Sequence, residues 1–250
     1  MYVVAIAELG SSDADLSALA VDLGTTLYEL RLVLNAGLPA VVVLTVDISV
    51  AANAARAIER HGHRAVSGDR RQLPGSAAMT GIVDVALDPE MLGAGNARGD
   101  RLAYSEIFAL LRATQRSEHT EVREVKERKL RPAMTLATGG LIMTKQTTRQ
   151  VQSHRERREQ VLYVFPHSGV PWILREHGAR YAGLGADLAP TSMANFETTL
   201  RKLRERAPAA PFDARLSSPR TVRGIPDGAA ATDLLAHLIV LDLRARAAGR

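Results

Sequence analysis

The chain has 250 residues, 46% of them apolar and 24% charged, a formal net charge of +5 and no cysteine. That composition belongs to a globular protein able to bury a sizeable core, and the length favours two domains over one. The lack of cysteine excludes disulfides, thiolate metal sites and cysteine nucleophiles, and it agrees with a reducing, cytoplasmic setting. Glu8 interrupts the apolar start, so no signal peptide is expected. The longest near-apolar run, Leu234 to Leu241, is far shorter than the ~20 residues of a membrane span.

In chain order, Tyr2 to Ala7 predicts a short strand. Asp13 or Asp15 can cap a helix carrying Leu16, Leu19, Ala20 and Leu23. Thr26 and Glu29 have capping-box spacing, and Leu27, Leu30 and Leu34 recur at helical intervals. Gly37 and Pro39 stop that second helix, and Ala40 to Val46 is an apolar, β-branched strand. Asp47 caps a third helix with Val50, Ala54 and Ile58 turned inward and Arg56, Glu59 and Arg60 outward. Gly62 ends it, and His63 to Ser67 predicts a last strand. The fold class expected is therefore α+β, opening with a small three-stranded sheet covered on one face by helices.

That order, with Gly24-Thr25-Thr26-Leu27-Tyr28-Glu29-Leu30-Arg31 and Arg60-His61-Gly62-His63-Arg64-Ala65-Val66, resembles the small C-terminal α/β domain of the ribosomal stalk protein. The Clp-protease adaptor shares the fold. The resemblance covers residues 1–71 and implies a protein-binding helix. The stalk family presents two lysines flanking Glu-Ala to translation factors; here Glu29 and Arg31 fit, and Tyr28 stands in place of the first lysine. The adaptor's histidine-bearing peptide pocket has no counterpart.

Residues 72–99 read as a linker, with Pro74, Gly75 and Ser76 at its start, a short strand from Ile82 to Leu87 and a glycine-rich loop from Leu92 to Asp100. Strands follow at Leu102 to Thr114, His119 to Arg128, Leu141 to Val151, Gln160 to Phe165 and Pro171 to Leu174. Thr191 or Ser192 then caps a helix with Phe196, Leu200 and Leu203 on one face. Strands followed by one amphipathic helix, over residues 100–215, resemble an antiparallel pleckstrin-homology-like barrel. Residues 216–250 form a tail: a flexible connector to Ala231, then an apolar helix capped by Asp233 and carrying Leu234, Leu235, Leu238, Ile239 and Leu241.

No residue set specifies a reaction. His61-Gly62-His63 lacks a third ligand. Thr138-Gly139-Gly140 lacks the Gly-Lys-Ser/Thr finish of a phosphate loop, and Gly183-Leu184-Gly185 lacks the strand-to-helix context of a dinucleotide site. Ser153-His154 and His167-Ser168 are neighbours without a nucleophile elbow. Asp84, Asp88 and Glu90 read as a solvated acidic cluster, and Trp172 and Tyr181 as core or stacking residues.

The reading reached is a non-enzymatic protein-interaction or adaptor module with no cofactor and no metal. Tyr28, Arg31, Leu235 and Leu238 are its candidate protein-binding residues. The C-terminal helix would support homo-oligomers, because exposed apolar surface marks interfaces. An alternative follows from charge. Between Arg116 and Glu159 lie eleven Lys/Arg and six Asp/Glu, an excess equal to that of the whole chain. Arg116, Lys126, Arg128, Lys129, Arg155, Arg157 and Arg158 would then bind nucleic acid or an anionic membrane surface. An enzyme with a site between the two domains is the third reading.

Overall fold

The structure is a computed structural model describing residues 1–10, 15–130, 144–225 and 228–249, the side chains of 117–157 excepted. Residues 1–116 and 158–250 form one compact unit; residues 117–157 form a second. The second unit consists, in its described part, of the 117–130 portion of strand β8 (Ile107–Leu130) and the 144–157 portion of β9 (Thr144–Pro166). Everything below concerns the first unit.

The first unit opens in the expected order: β1 (Tyr2–Glu8), α1 (Leu16–Asp22), α2 (Leu27–Asn35), β2 (Ala40–Thr45), α3 (Ile48–Arg60) and β3 (Arg64–Asp69). The stop and start signals sit where the residues put them. Asp15 caps α1 through the Ser17 and Ala18 amides, Thr26 and Glu29 close a reciprocal capping box on α2, and the Asp47 carboxylate accepts the Ser49 amide at the start of α3. Gly37 follows α2 at φ 102°, a left-handed conformation that suits glycine. Within α3 the inward set is Ala51, Ala54, Ala57 and Ile58. Val50, expected inward, lies 46% exposed.

The sheet order is β2-β1-β3, with β1 antiparallel to both neighbours. Helices were expected on one face of it, and both faces are covered. Val4 and Ile6 of β1 pack with α1, α2 and α3. Val3, Ala5 and Ala7 turn the other way, into a core built around the C-terminal helix α5 (Gly228–Ala248). Double coverage explains why β1 is apolar along its length and shows no alternation.

The rest of the unit departs from the expected barrel. Strands β8, β9, β10 (Trp172–Arg175), β4 (Thr80–Ile82) and β11 (Phe212–Leu216) form a five-stranded sheet in the order β11-β8-β9-β10-β4. It is mixed, not wholly antiparallel: β4 runs parallel to β10 and β11 parallel to β8. One edge, β4, comes from the segment read as linker, and the other, β11, follows the helix expected to end the barrel and was not expected as a strand. A separate sheet joins β5 (Ala86–Leu87), within the short strand expected from Ile82 to Leu87, to β6 (Met91–Gly93), which enters the expected loop, and β7 (Arg101–Ala103), at the start of the strand expected from Leu102. It shares a core with the outer face of the larger sheet and with Phe196, Leu200 and Leu203 of α4 (Ser192–Arg206), which Thr191 caps.

The expected boundaries at residues 72–99 and 216 are not breaks in packing. One core joins Val3, Ala5 and Val66 of the first sheet to Leu111, Tyr163 and Ile173 of the second, through Leu234, Leu235, Leu238 and Ile239 of α5. Every residue from Ala231 to Val240 is buried, as befits a helix apolar all round. Leu235 and Leu238 are therefore core residues, 1% and 0% exposed. Asp233 does not cap this helix, which begins five residues earlier at Gly228.

Asp233 instead anchors a buried polar network. Its carboxylate accepts from the Tyr163 hydroxyl (2.6 Å), the Gln115 amide (2.9 Å), the Ser76 hydroxyl (2.6 Å) and the Ser76 backbone N–H (2.7 Å). Arg175 donates to the Gln115 side-chain oxygen at 2.6 Å. Burial and the neighbouring Asp233 push the Tyr163 phenol well above its ordinary pKa, so it stays a donor. A second anchor lies further along the helix. Asp242, 2% exposed, meets Arg64 of β3 at 2.7 Å and Arg246 at 2.8 Å.

Two expectations follow. Asp233→Ala takes the shared acceptor from the buried Tyr163 and Gln115 side chains and from half-buried Ser76 and should cost about 3 kcal/mol or more, against about 1–2 kcal/mol for Tyr163→Phe, read from denaturant midpoints. The second concerns His237, 7% exposed on α5, whose ring meets the Pro74 carbonyl at 2.8 Å. Burial lowers its pKa from 6.5. The unfolded chain therefore takes up this proton first, and stability should be full above about pH 6.5 and fall as the pH drops below it. Midpoints measured from pH 8 to 5 should show the slope, and His237→Gln should reduce it.

Candidate functional site

Strand β2 is the edge of its sheet, with β1 on one side and, among the described residues, no strand on the other. Its sequence, Ala-Val-Val-Val-Leu-Thr, carries no charge and no proline. Natural edges are normally blunted by such residues, because half of an edge strand's N–H and C=O groups point outward unpaired. Yet Val41 to Thr45 are only half-exposed.

The reason is a wall on each side. Val42 and Val43 pack under α2 with Val33, Leu34 and Leu38. Val41 and Leu44 turn into the α5 core beside Val222 and Ile225. The segment from Arg220 to Gly224 forms the second wall, and a Cβ on Gly224 would stand 3.3 Å from Leu44 Cδ1. Two cavities of about 650 and 450 Å³ run along the strand between the walls. Both are lined by Glu29, Val33, Val41 and Arg223; Leu32 and Ala36 add to the first and Val42 to Leu44 to the second. The result is an apolar slot with a strand edge along its floor.

Charge is confined to two places in the slot. Arg223 reaches across it from the second wall to Glu29 on α2, 3.4 Å away. Glu29 accepts from the Thr26 backbone N–H and the Thr25 and Thr26 hydroxyls. Those hydrogen bonds, with a smaller contribution from Arg223, hold its carboxyl below the usual pKa of 4.5. Arg220 closes one end of the slot, donating to the carbonyls of Gly37, Leu38 (3.1 Å) and Pro39 (3.0 Å) just past α2. A cation suits this carbonyl-rich helix terminus. At the other end the chain leaves through Val46, Ile48 and Val50, which are 85%, 61% and 46% exposed.

The slot lies close to the residues singled out from the sequence without using them. Tyr28 is 76% exposed and Arg31 is also exposed, but the wall is the adjoining face of α2, Glu29, Leu32, Val33 and Ala36. Leu235 touches the slot from beneath as a buried core residue, and Leu238 does not reach it. The second wall was unseen in the sequence. Its only sign there was Val222 and Ile225, two apolar residues in a stretch read as connector.

The other candidates go elsewhere. In the basic segment, Lys126, Arg128, Lys129, Arg155 and Arg157 have side chains outside the described residues, while Arg116 and Arg158 both engage neighbours. Thr138-Gly139-Gly140 and the side chains of Ser153-His154 also fall outside them. His61 faces Asp22 at 3.0 Å, whereas His63 is buried and accepts the Gly10 amide, so the pair diverges. Trp172 and Tyr181 are core residues. Asp88 pairs with Arg101 and Asp84 with Arg180. No helix among the described residues is long and apolar enough to cross a membrane.

Comparison of the chain with protein-family models, with curated proteins and with solved structures finds no match in any of the three.

The Glu29 environment is directly measurable. Its carboxyl should titrate below 4.5 by carbon-detected NMR, and the midpoint should move up in Thr26→Ala. The same substitution removes a helix cap and should cost about 1 kcal/mol of stability.

Proposed function

We propose that the chain is a non-enzymatic protein-binding module that captures an extended, apolar segment of a partner by adding it as a strand beside β2. The observation that carries this reading is the edge itself: six uncharged residues with no outer neighbour among the described residues, set between α2 and the Arg220–Gly224 segment. Strand addition supplies affinity through main-chain hydrogen bonds, and side-chain pockets beside the edge supply selectivity. A strand of six residues spans about 20 Å, enough for a short peptide.

A single extended segment suits the slot better than a second copy of the chain. The β2 strand of another copy would bring its own α2 and Arg220–Gly224 walls to the edge, whereas a lone extended segment brings none. The slot brings together no acid, base and nucleophile, which supports a binding role over a chemical one. The likeness of residues 1–71 to the stalk and Clp-adaptor fold, whose members bind proteins, supports the same reading.

Peptides selected from a displayed random library on the immobilised full chain should carry alternating apolar residues. Leu32→Arg places a charge on the slot wall at a position already 59% exposed, so it should leave the fold intact. It should weaken the selected peptides by about tenfold or more in fluorescence anisotropy, the loss expected of a contact at the centre of an interface. Tyr28→Ala should change affinity little. Peptides indifferent to Leu32→Arg and Ala36→Arg would overturn the assignment.

A further inference from the structure

A second concave site, remote from β2 in sequence, has a different chemistry. A cavity of about 700 Å³ lies between the start of β8, the turn after α4 and the last turns of α5. Its walls are apolar: Ile107, Phe108, Pro208, Pro211 and Leu243 are among them. Its rim is cationic. Arg206, on the lining, donates to the Tyr104 hydroxyl and the Asp88 carbonyl, both at 2.8 Å, with its guanidinium 5.5 Å from the centre of the Tyr104 ring. Arg244 donates to the Pro166 carbonyl at 2.9 Å and lies 5.3 Å from the centre of the Phe108 ring. The His167 ring stands edge-on to the same phenylalanine, 5.4 Å away.

These partners share one property: all are neutral. Neither Arg206 nor Arg244 meets a carboxylate among the described residues. Asp88 is engaged by Arg101, Asp242 by Arg64 and Arg246, and Glu8 by the same two arginines. The Tyr104 phenol cannot supply the missing charge, because burial raises its pKa above 10. Arg206 is thus held on the lining of an apolar cavity by a hydroxyl and a carbonyl with its charge unmatched, and Arg244 is held by a carbonyl beside the ring of Phe108, off the lining itself. An arginine fork favours a carboxylate or phosphate, and a concave apolar site with a few fixed polar groups is the usual form of a small-molecule pocket.

We propose that this cleft binds a small amphipathic anion, its apolar body between Phe108, Pro208 and Leu243 and its carboxylate or phosphate against Arg206, with the charge of Arg244 beside Phe108 adding to the attraction. The site is independent of the β2 slot, and neither reading needs the other.

The test uses the full chain and decanoate, followed by displacement of the fluorescent probe 8-anilinonaphthalene-1-sulfonate, an aromatic anion. Decanoate should displace the probe at least tenfold more effectively than decanol, which has the same body without the charge. Decyl phosphate run in parallel shows which head group the forks prefer, and either preference fits the proposal. Arg206→Gln should weaken decanoate by about tenfold, Arg244→Gln should weaken it by less, and both should leave decanol unchanged. Arg206 also holds Tyr104, so Ala209→Trp serves as a second probe. That residue is exposed on the lining, and the substitution should block both ligands by filling the cleft. Leu32→Arg, in the β2 slot, should alter nothing. Equal binding of decanol and decanoate, displacement unchanged in both arginine variants and in Ala209→Trp, or no displacement by decanoate would each overturn the proposal.

Discussion

The carboxylate of Asp233 is the point on which the rest of the first unit depends. A charge buried in an apolar helix is costly unless its lone pairs are filled, and here four donors fill them. They come from three other parts of the chain: Ser76 from the stretch after β3, Gln115 from β8 and Tyr163 from β9. Satisfying one carboxylate therefore fixes the register of α5 against the five-stranded sheet. Asp242, two turns on, does the same against β3 through Arg64. Between the two anchors every position from Leu234 to Val240 is apolar or neutral and buried, so the helix can serve the cores of both sheets at once.

That arrangement leaves the β2 edge open. With α5 under the first sheet and α1 to α3 above it, β1 is enclosed on both faces and β3 is packed against α5. The segment running from β11 into α5 passes β2 on the way, and Arg220 pins it there to the carbonyls after α2. The wall opposite α2 is thus a by-product of delivering the helix to the core. A strand edge that would otherwise invite aggregation lies between those two walls.

Much of the first sheet was legible in the sequence because its signals are local. Thr26 with Glu29, Asp47, Gly37 and Gly62 each act within four residues of themselves, and each element they bound is present. What the sequence hid is long-range. β4 has three residues and β11 five, too few for a period to show, and each joins the large sheet beside a strand distant in the chain. The helix α5 is apolar all round, so no stripe reveals that it has two sheets to face; an exposed interface helix and a central core helix look alike as sequence. Asp233 resembled a cap because caps and buried anchors use the same residue. The slot was half legible. Its strand and its helix were both identified, but the second wall stands 182 residues from the first where Arg220 meets Leu38, and nothing in the sequence links them.

Amide hydrogen exchange on β2, followed by NMR with and without a selected peptide, tests the strand-addition account most directly. Within Ala40 to Thr45, amides facing β1 should be protected in both states, and those facing outward should exchange quickly in the free chain and slowly once the peptide is bound. Outward amides already protected in the free chain, or unchanged when the peptide is saturating, would contradict it.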